Sequence, residues 1–228
     1  MKKLLATALG MAAVFTASAV TAPACATEGS AFTFEFQSID GKPMKLADWR
    51  GKALLVVNTA SFCGFTKQYA GLQELWSKYE AKGLVVVGVP SNDFGGQEPK
   101  AEGEIKKFCE GAFGVTFPLT TKQVVTGGTA HPFYKWAAEA AGPAGVPAWN
   151  FHKYLIGRDG RLVASLSTRA APMSDEVTAA IEKALAEPVP QAVSGAAARA
   201  IRHQRCPNPG PFIRTALSWL PCLAADRR

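Results

Sequence analysis

The sequence predicts an α/β fold with a mixed central sheet flanked by helices, and three observations support this. Two continuous apolar runs, residues 53–60 and 84–89, have the composition of strands buried on both faces. Apolar residues at helical spacing follow each run. Two hairpin signals, one before and one after these runs, add antiparallel strands. This order of elements is typical of α/β domains with parallel and antiparallel neighbours in one sheet.

The first hairpin and the first helix follow from residue spacing. Phe32, Phe34 and Phe36 alternate with polar residues, and the Asp40-Gly41 turn leads into a second strand that ends near Leu46. After the first buried run, a helix is predicted from apolar residues at helical spacing. These residues are Leu72, Leu75, Trp76 and Tyr79.

The second half of the domain adds three helices and a hairpin. Ile105 and Phe108 mark a short helix that carries Cys109, and Phe133, Tyr134 and Trp136 mark the next helix. Residues 154–156 and 162–166 flank a turn at residues 158–160. Ser174 is the predicted N-cap of the last helix. The apolar residues of that helix are Val177, Ile181 and Leu185.

Charge and composition divide the chain of 228 residues into three parts. Hydrophobic residues make up 48% of it, enough for a folded core, and the net charge is +7. The excess positive charge lies at the two ends of the chain, on Lys2 and Lys3 and on the arginines of residues 188–228. Residues 27–187 are nearly neutral, which argues against nucleic-acid or membrane-surface binding by this domain.

The N-terminus has the pattern of a secretory signal peptide, predicted over residues 1–26. Lys2 and Lys3 precede an apolar run over residues 4–20, which is short for a membrane span of about 20 residues. Either 22–24 or 24–26 provides a cleavage site of the A-x-A type. A buried helix, a membrane anchor and a lipoprotein acylated at Cys25 are the alternatives. We expect an exported, periplasmic or secreted protein, with a domain at 27–187 and a poorly ordered C-terminal extension at 188–228.

Cys63 is the first candidate for chemistry, because it directly follows the first buried strand and precedes a helix. This is the layout of thioredoxin-like folds. Backbone N–H groups at a helix N-terminus favour the reactive thiolate, although an inert buried cysteine is the alternative. Thr66 stands where a thioredoxin-type dithiol needs its second cysteine. Val56 and Ala60 stand where a peroxiredoxin-type site usually has Pro and Thr.

Three sequence blocks in loops after or between strands carry a more specific signal. They are NTASFCGFT at residues 58–66, PSNDFGGQEP at 90–99 and WNF at 149–151. GVTFP at 114–118 and HPFY at 131–134 agree with them. Together these blocks resemble the signature blocks of the glutathione peroxidase family, over about residues 30–187.

The resemblance implies a catalytic tetrad of Cys63, Gln97, Trp149 and Asn150. The side chains of the last three donate hydrogen bonds, which stabilise a thiolate and the oxygen that leaves the peroxide with negative charge. The family's chemistry requires no metal or other cofactor, and the three histidines, His131, His152 and His203, lack metal-site spacing. His131 is assigned to the packing at a helix start.

The resemblance also implies how the enzyme is recycled. Cys109 corresponds to the resolving cysteine of thioredoxin-dependent members, so a Cys63 sulfenic acid would condense with it to a disulfide. A buried structural Cys109 is the alternative. Cys63 occupies the position that holds selenocysteine in the selenium-dependent members of the family. The stretch between His131 and Trp149 is short and lacks the long insertion of many tetrameric members, so we expect a monomer.

The expected function is thiol-dependent reduction of hydrogen peroxide or organic hydroperoxides. A thioredoxin-like protein, glutathione or an exported dithiol carrier could be the reductant, and no stable membrane insertion is expected after signal cleavage. A peroxide sensor or relay that oxidises a partner protein is the alternative from another class. A third possibility is a catalytically inactive protein in which Cys63 and Cys109 form a permanent structural disulfide.

Overall fold

The computed structural model describes residues 29–189 of the chain. The predicted signal peptide lies outside the described residues, and so does the predicted extension from residue 190 onward. The fold below therefore concerns the predicted central domain.

The first hairpin consists of β1 (Glu35–Gln37) and β2 (Pro43–Lys45), which pair antiparallel with Phe36 opposite Met44. The predicted strand begins later than Phe32, because residues Ala31–Thr33 form a 3-10 turn. Ser30 causes this difference, since its hydroxyl accepts a hydrogen bond from the Phe32 backbone N–H at 3.3 Å and caps the turn.

The central sheet contains four strands in the order β4-β3-β5-β6. They are β3 (Ala53–Thr59), β4 (Leu84–Pro90), β5 (Lys153–Ile156) and β6 (Leu162–Leu166). β3 pairs parallel with β4 and antiparallel with β5, and β5 pairs antiparallel with β6. Every residue of β3, β4 and β5 is buried, so the continuous apolar runs are central strands as predicted. The mixed sheet is confirmed.

Helices cover both faces of this sheet. They are α1 (Gln68–Tyr79), α2 (Glu102–Phe113), α3 (Pro132–Ala141) and α4 (Asp175–Ala186). Leu55 and Val57 pack in one core with α1, α2 and α4, whereas Leu54 and Val56 pack in a second core with α3. Among the helices of residues 29–189, none has the length and apolar character needed to cross a membrane.

Two helix termini test the sequence predictions. The Ser174 hydroxyl accepts a hydrogen bond from the Val177 N–H, which confirms the predicted N-cap of α4. The helix that carries Cys109 is longer than expected, because it continues for a further turn to Phe113 and ends at Gly114 in the left-handed conformation with φ 63°. Cys109 therefore lies inside α2 rather than at its end.

Candidate active site

The segment that carries Cys63 is a series of turns between β3 and α1. The helix begins at Gln68, so the expectation that Cys63 lies at its N-terminus is wrong. Thr66 explains the difference, because its hydroxyl accepts a hydrogen bond from the Cys63 N–H at 3.0 Å and donates its proton to the Cys63 carbonyl at 2.7 Å. This local bonding holds the chain in turns before the helix can start.

A backbone amide nevertheless reaches the sulfur of Cys63. The Phe65 N–H donates to Cys63 Sγ at 3.4 Å, and the cysteine is a free thiol that is 8% exposed. A donor directed at sulfur stabilises negative charge on it. The turn thus provides the type of contact that was expected from the helix N-terminus, together with a narrow opening to solvent.

The loop after β4 is hydrogen-bonded to the two residues that directly precede Cys63. The Phe62 N–H donates to the Gln97 carbonyl at 3.0 Å, and the Ser61 hydroxyl donates to the fully buried Glu98 carboxyl at 2.9 Å. Burial raises the pKa of Glu98 above its ordinary value. Sequence reasoning missed this role of Glu98, since only its place beside Gln97 in the sequence block distinguishes it.

Gln97, Trp149 and Asn150 come together at the carboxyl end of β3. The Asn150 side-chain amide donates to Gln97 Oε1 at 2.9 Å, which leaves Gln97 Nε2 available as a donor. A Cβ on Gly95 would lie 3.7 Å from Gln97 Cγ and 3.9 Å from the Trp149 ring, so both side chains adjoin Gly95. Asn150 is buried and Trp149 is 39% exposed.

The backbone of the Trp149 loop is strained at Phe151. Among residues 29–189, Phe151 is the one non-glycine residue with positive φ, at 63°. This conformation costs about 1–2 kcal/mol for an L-residue. The neighbouring strand compensates, since the Phe151 N–H donates to the Asn58 carbonyl at 2.6 Å and the Asn58 side-chain amide donates to the Trp149 carbonyl at 3.1 Å.

Two further side chains hold the same loop. Thr168 donates to the Asn150 carbonyl at 2.8 Å, and Lys153 Nζ donates to the Phe151 carbonyl at 2.8 Å. Lys153 is fully buried, and burial lowers the pKa of its ammonium group to about 8. Side chains therefore bind the carbonyls of three consecutive residues, 149–151, and fix the direction of the Trp149 and Asn150 side chains.

Cys109 is a fully buried free thiol that packs in the same hydrophobic core as Cys63. The pKa of the Cys109 thiol is raised to about 11, mainly because the thiol is buried. The structure thus holds the reduced state, with Cys109 protonated and enclosed by helix α2.

Lys100 bridges the segments that carry the two cysteines. Its Nζ lies 5.0 Å from the centre of the Phe62 ring and 4.1 Å from the centre of the Phe108 ring. These phenylalanines directly precede Cys63 and Cys109, and a cation over an aromatic ring is attracted to it. No sequence pattern indicates this contact, because it joins side chains from three separate segments.

The histidines have structural contacts. His131 Nδ1 accepts a hydrogen bond from the Phe133 N–H at 3.2 Å, which confirms its assignment to the start of α3. His203 lies outside the described residues. Within residues 29–189, no group of three potential metal-ligating side chains is close enough to hold an ion.

Comparisons with known proteins agree with the resemblance in the sequence blocks. The family model of glutathione peroxidase matches residues 31–138. A hydroperoxy fatty acid reductase of Synechocystis sp. is 46% identical over an alignment of 162 residues, and the match covers 68% of this chain and 95% of that protein.

Solved structures agree as well. The crystal structure of Trgpx in apo form has a TM-score of 0.59 and 35% identity, and the match covers 72% of this chain and all of that one (100%). A thioredoxin-family thiol:disulfide interchange protein from Chlorobium tepidum has a TM-score of 0.53 at 18% identity, over 71% of this chain and 99% of that one, and supports the fold alone. The chain therefore belongs to the glutathione peroxidase family, and it is a thiol-dependent peroxidase with a thioredoxin-like fold.

Proposed function

We propose that Cys63 is the peroxidatic residue and that Gln97, Trp149 and Asn150 stabilise the charges of its reaction. The observation that carries this proposal is the arrangement around the Cys63 loop. A backbone N–H contacts the sulfur at 3.4 Å, and the loop of Gln97 is bonded to the same turn at 3.0 Å. Asn150 in turn orients the Gln97 amide.

The oxidation step transfers one oxygen atom to Cys63. The Cys63 thiolate attacks the outer oxygen of the peroxide and the O–O bond breaks, so sulfur is oxidised to a sulfenic acid. The departing oxygen carries negative charge until it takes a proton and leaves as water or an alcohol. Donors such as Gln97 Nε2 and the Trp149 indole N–H stabilise that charge as it develops.

The resolving step uses Cys109 in our proposal. A Cys109 thiolate attacks the sulfur of the Cys63 sulfenic acid, hydroxide leaves and is protonated to water, and a disulfide forms. The common core that both cysteines share supports this pairing. An external dithiol, from a thioredoxin-like protein or another exported carrier, then reduces the disulfide, and glutathione is the alternative donor.

The sequence supports a proposal for the location and processing of the protein. We propose that residues 1–26 are a signal peptide, that the mature protein is periplasmic or secreted, and that it is a monomer without stable membrane insertion. Residues 27–187 would form the catalytic domain and 188–228 an extension. The basic start, the apolar run and the A-x-A sites support the first of these proposals.

A peroxidase assay of the mature chain, residues 27–228, tests this function. Purified protein is supplied with hydrogen peroxide or an organic hydroperoxide and with glutathione, a thioredoxin system or dithiothreitol in separate reactions. We expect sustained turnover with dithiols and slower turnover with glutathione. A single round of peroxide consumption, followed by a mixed disulfide with one partner protein, would instead favour the relay function. No consumption by the fully reduced protein would contradict both.

A further inference from the structure

Helix α2, which carries Cys109, contacts the rest of the domain both through its core face and through side chains outside the core. Cys109 is fully buried, whereas its neighbour Phe108 is half-buried at the edge of the same core. On the surface, Lys106 forms a salt bridge with Asp40 at 2.8 Å, and such exposed pairs contribute little to stability. The contact between the Phe108 ring and Lys100 is a second attachment of this helix outside the core.

Lys100 lies in the loop before α2, and its backbone is held in place. Lys122 Nζ donates to the Lys100 carbonyl at 2.7 Å. Two residues earlier, the buried carboxyl of Glu98 accepts a hydrogen bond from the Ser61 hydroxyl at 2.9 Å. Lys100 therefore connects a loop that is bonded to the Cys63 turn with the helix that carries Cys109.

The ammonium group of Lys100 lies between two aromatic rings. Its distance is 4.1 Å from the centre of the Phe108 ring and 5.0 Å from the centre of the Phe62 ring. None of the ion pairs among residues 29–189 involves Lys100. A lysine that covers apolar surface usually extends its charged end into water. Here the attraction of the cation to both rings holds that end against them.

We propose that Lys100 is a positioning residue for the resolving step, because it holds Phe108 of helix α2 beside Phe62 and thereby keeps the helix closed. The inference rests on the proposed function of Cys109, which must leave its buried place in α2 to reach Cys63. Opening of α2 separates Phe108 from Lys100 and loses their attraction. Formation of the sulfenic acid at Cys63 leaves this contact intact, so Lys100 slows the second step without affecting the first.

The lifetime of the Cys63 sulfenic acid decides between two reactions. Attack by the Cys109 thiolate forms the disulfide, and the released hydroxide takes a proton to give water. Alternatively, the sulfenate attacks a second hydrogen peroxide, the O–O bond breaks, and one oxygen atom is transferred to sulfur, which gives a sulfinic acid and water. A helix held closed delays the first reaction. Lys100 therefore also raises the sensitivity of the enzyme to inactivation by excess peroxide.

Lys100→Met tests the proposal, because methionine keeps the length of the side chain but removes its charge. Amide hydrogen exchange of α2 in the reduced protein should become about fivefold faster, as for the loss of these cation–π contacts. After one equivalent of peroxide, the Cys63–Cys109 disulfide should also form about fivefold faster, measured by rapid acid quench and mass spectrometry. The rate of peroxide consumption in this first round should equal that of the wild type, which a general loss of structure would not allow.

Three further variants are the controls. Lys107→Met removes a charge from an exposed position of the same helix and should leave both rates at their wild-type values. Lys100→Arg keeps a cation that stacks on aromatic rings, so it should restore slow exchange and slow disulfide formation. In a Phe108→Leu background, Lys100→Met should have a smaller effect, because the contact with this ring is already lost.

Equal hydrogen exchange of α2 in Lys100→Met and in the wild type would overturn the proposal. So would an equal acceleration in Lys107→Met, since that would show a general effect of charge. A wild type that consumes peroxide but forms no Cys63–Cys109 disulfide would be a different result, because it would contradict the proposed role of Cys109. Hydrogen exchange of the reduced protein would still show whether Lys100 holds the helix.

Discussion

The two cysteines of the described domain share one hydrophobic core but differ in almost every other respect. Cys63 lies in a turn, is 8% exposed and accepts a hydrogen bond from a backbone N–H at 3.4 Å. Cys109 is fully buried inside helix α2, where burial raises the pKa of its thiol to about 11. The contacts of Cys63 fit its proposed attack on the peroxide, whereas burial disfavours the reactive thiolate of Cys109.

Because the two cysteines differ in this way, the oxidation step and the resolving step of the proposed mechanism require different movements of the protein. In the proposed mechanism, the oxidation of Cys63 uses the loops at 97–98 and 149–151 as their hydrogen bonds hold them. We propose that resolution requires α2 to open, because Cys109 is fully buried inside this helix and a thiolate is disfavoured there. Local opening of one helix costs less than global unfolding.

The largest effect should come from Cys63→Ser, because a hydroxyl is a far weaker nucleophile than a thiolate. Turnover with any reductant should fall to the rate of the reaction without enzyme. The measurement is peroxide consumption under saturating dithiol. Activity close to that of the wild type would show that another residue attacks the peroxide.

Cys109→Ser should separate the two steps. The variant should still consume one equivalent of peroxide but lose turnover with a thioredoxin-like donor, while small thiols partly restore it by attacking the sulfenic acid directly. Stopped-flow consumption and steady-state rates measure the two parts. Cys206→Ser is the matched control and should retain turnover. Full turnover of Cys109→Ser with a protein dithiol would contradict the role of Cys109.

Lys153→Met tests whether the hydrogen bonds that hold the loop at 149–151 contribute to the reaction with peroxide. The variant loses the donor to the Phe151 carbonyl, so Trp149 and Asn150 are less well positioned, and kcat/KM for peroxide should fall about tenfold or more. The melting temperature should change less, since the variant also removes a buried ammonium group. Lys135→Met, on an exposed position of α3, is the control. A kcat/KM within twofold of wild type, twofold being on the order of 0.4 kcal/mol, would show that the loop tolerates the loss.

A smaller effect is expected at Glu98. Glu98→Ala leaves Ser61 without its acceptor, which should cost about 1–3 kcal/mol of unfolding free energy. Because burial raises the pKa of Glu98, its contribution to stability is complete at low pH and is lost as the pH rises above its ordinary range near 4.5. Glu98→Gln keeps an acceptor without charge, so its stability relative to wild type should increase between pH 4 and pH 7. Urea unfolding at several pH values measures the free energy of unfolding of both proteins. If the difference between them does not change with pH, the raised pKa of Glu98 is contradicted.

The sequence allowed the fold to be predicted because its signals are local. The apolar runs of β3 and β4, the spacing in α1 and the Ser174 cap each depend on a few neighbouring residues. The predicted start of β1 at Phe32 was wrong, because Ser30 caps a 3-10 turn where the alternation of apolar and polar residues predicts a strand.

The parts of the site that sequence reasoning missed are contacts between distant segments. Ser61 and Glu98 are 37 positions apart, and Lys100 lies against the rings of Phe62 and Phe108. Which of these side chains meet depends on the packing of the loops against α2, and a motif does not encode that. The roles of the tetrad residues stay predictions until they are tested as above.

The central claim is that a reactive Cys63 is recycled by a protected Cys109. Peptide mapping by mass spectrometry, after reduced protein receives one equivalent of peroxide, tests it most directly. If Cys109 recycles Cys63, both thiols are lost and a single intramolecular Cys63–Cys109 disulfide forms. A stable Cys63 sulfenic acid beside an unmodified Cys109 thiol would contradict it and would establish a one-cysteine peroxidase.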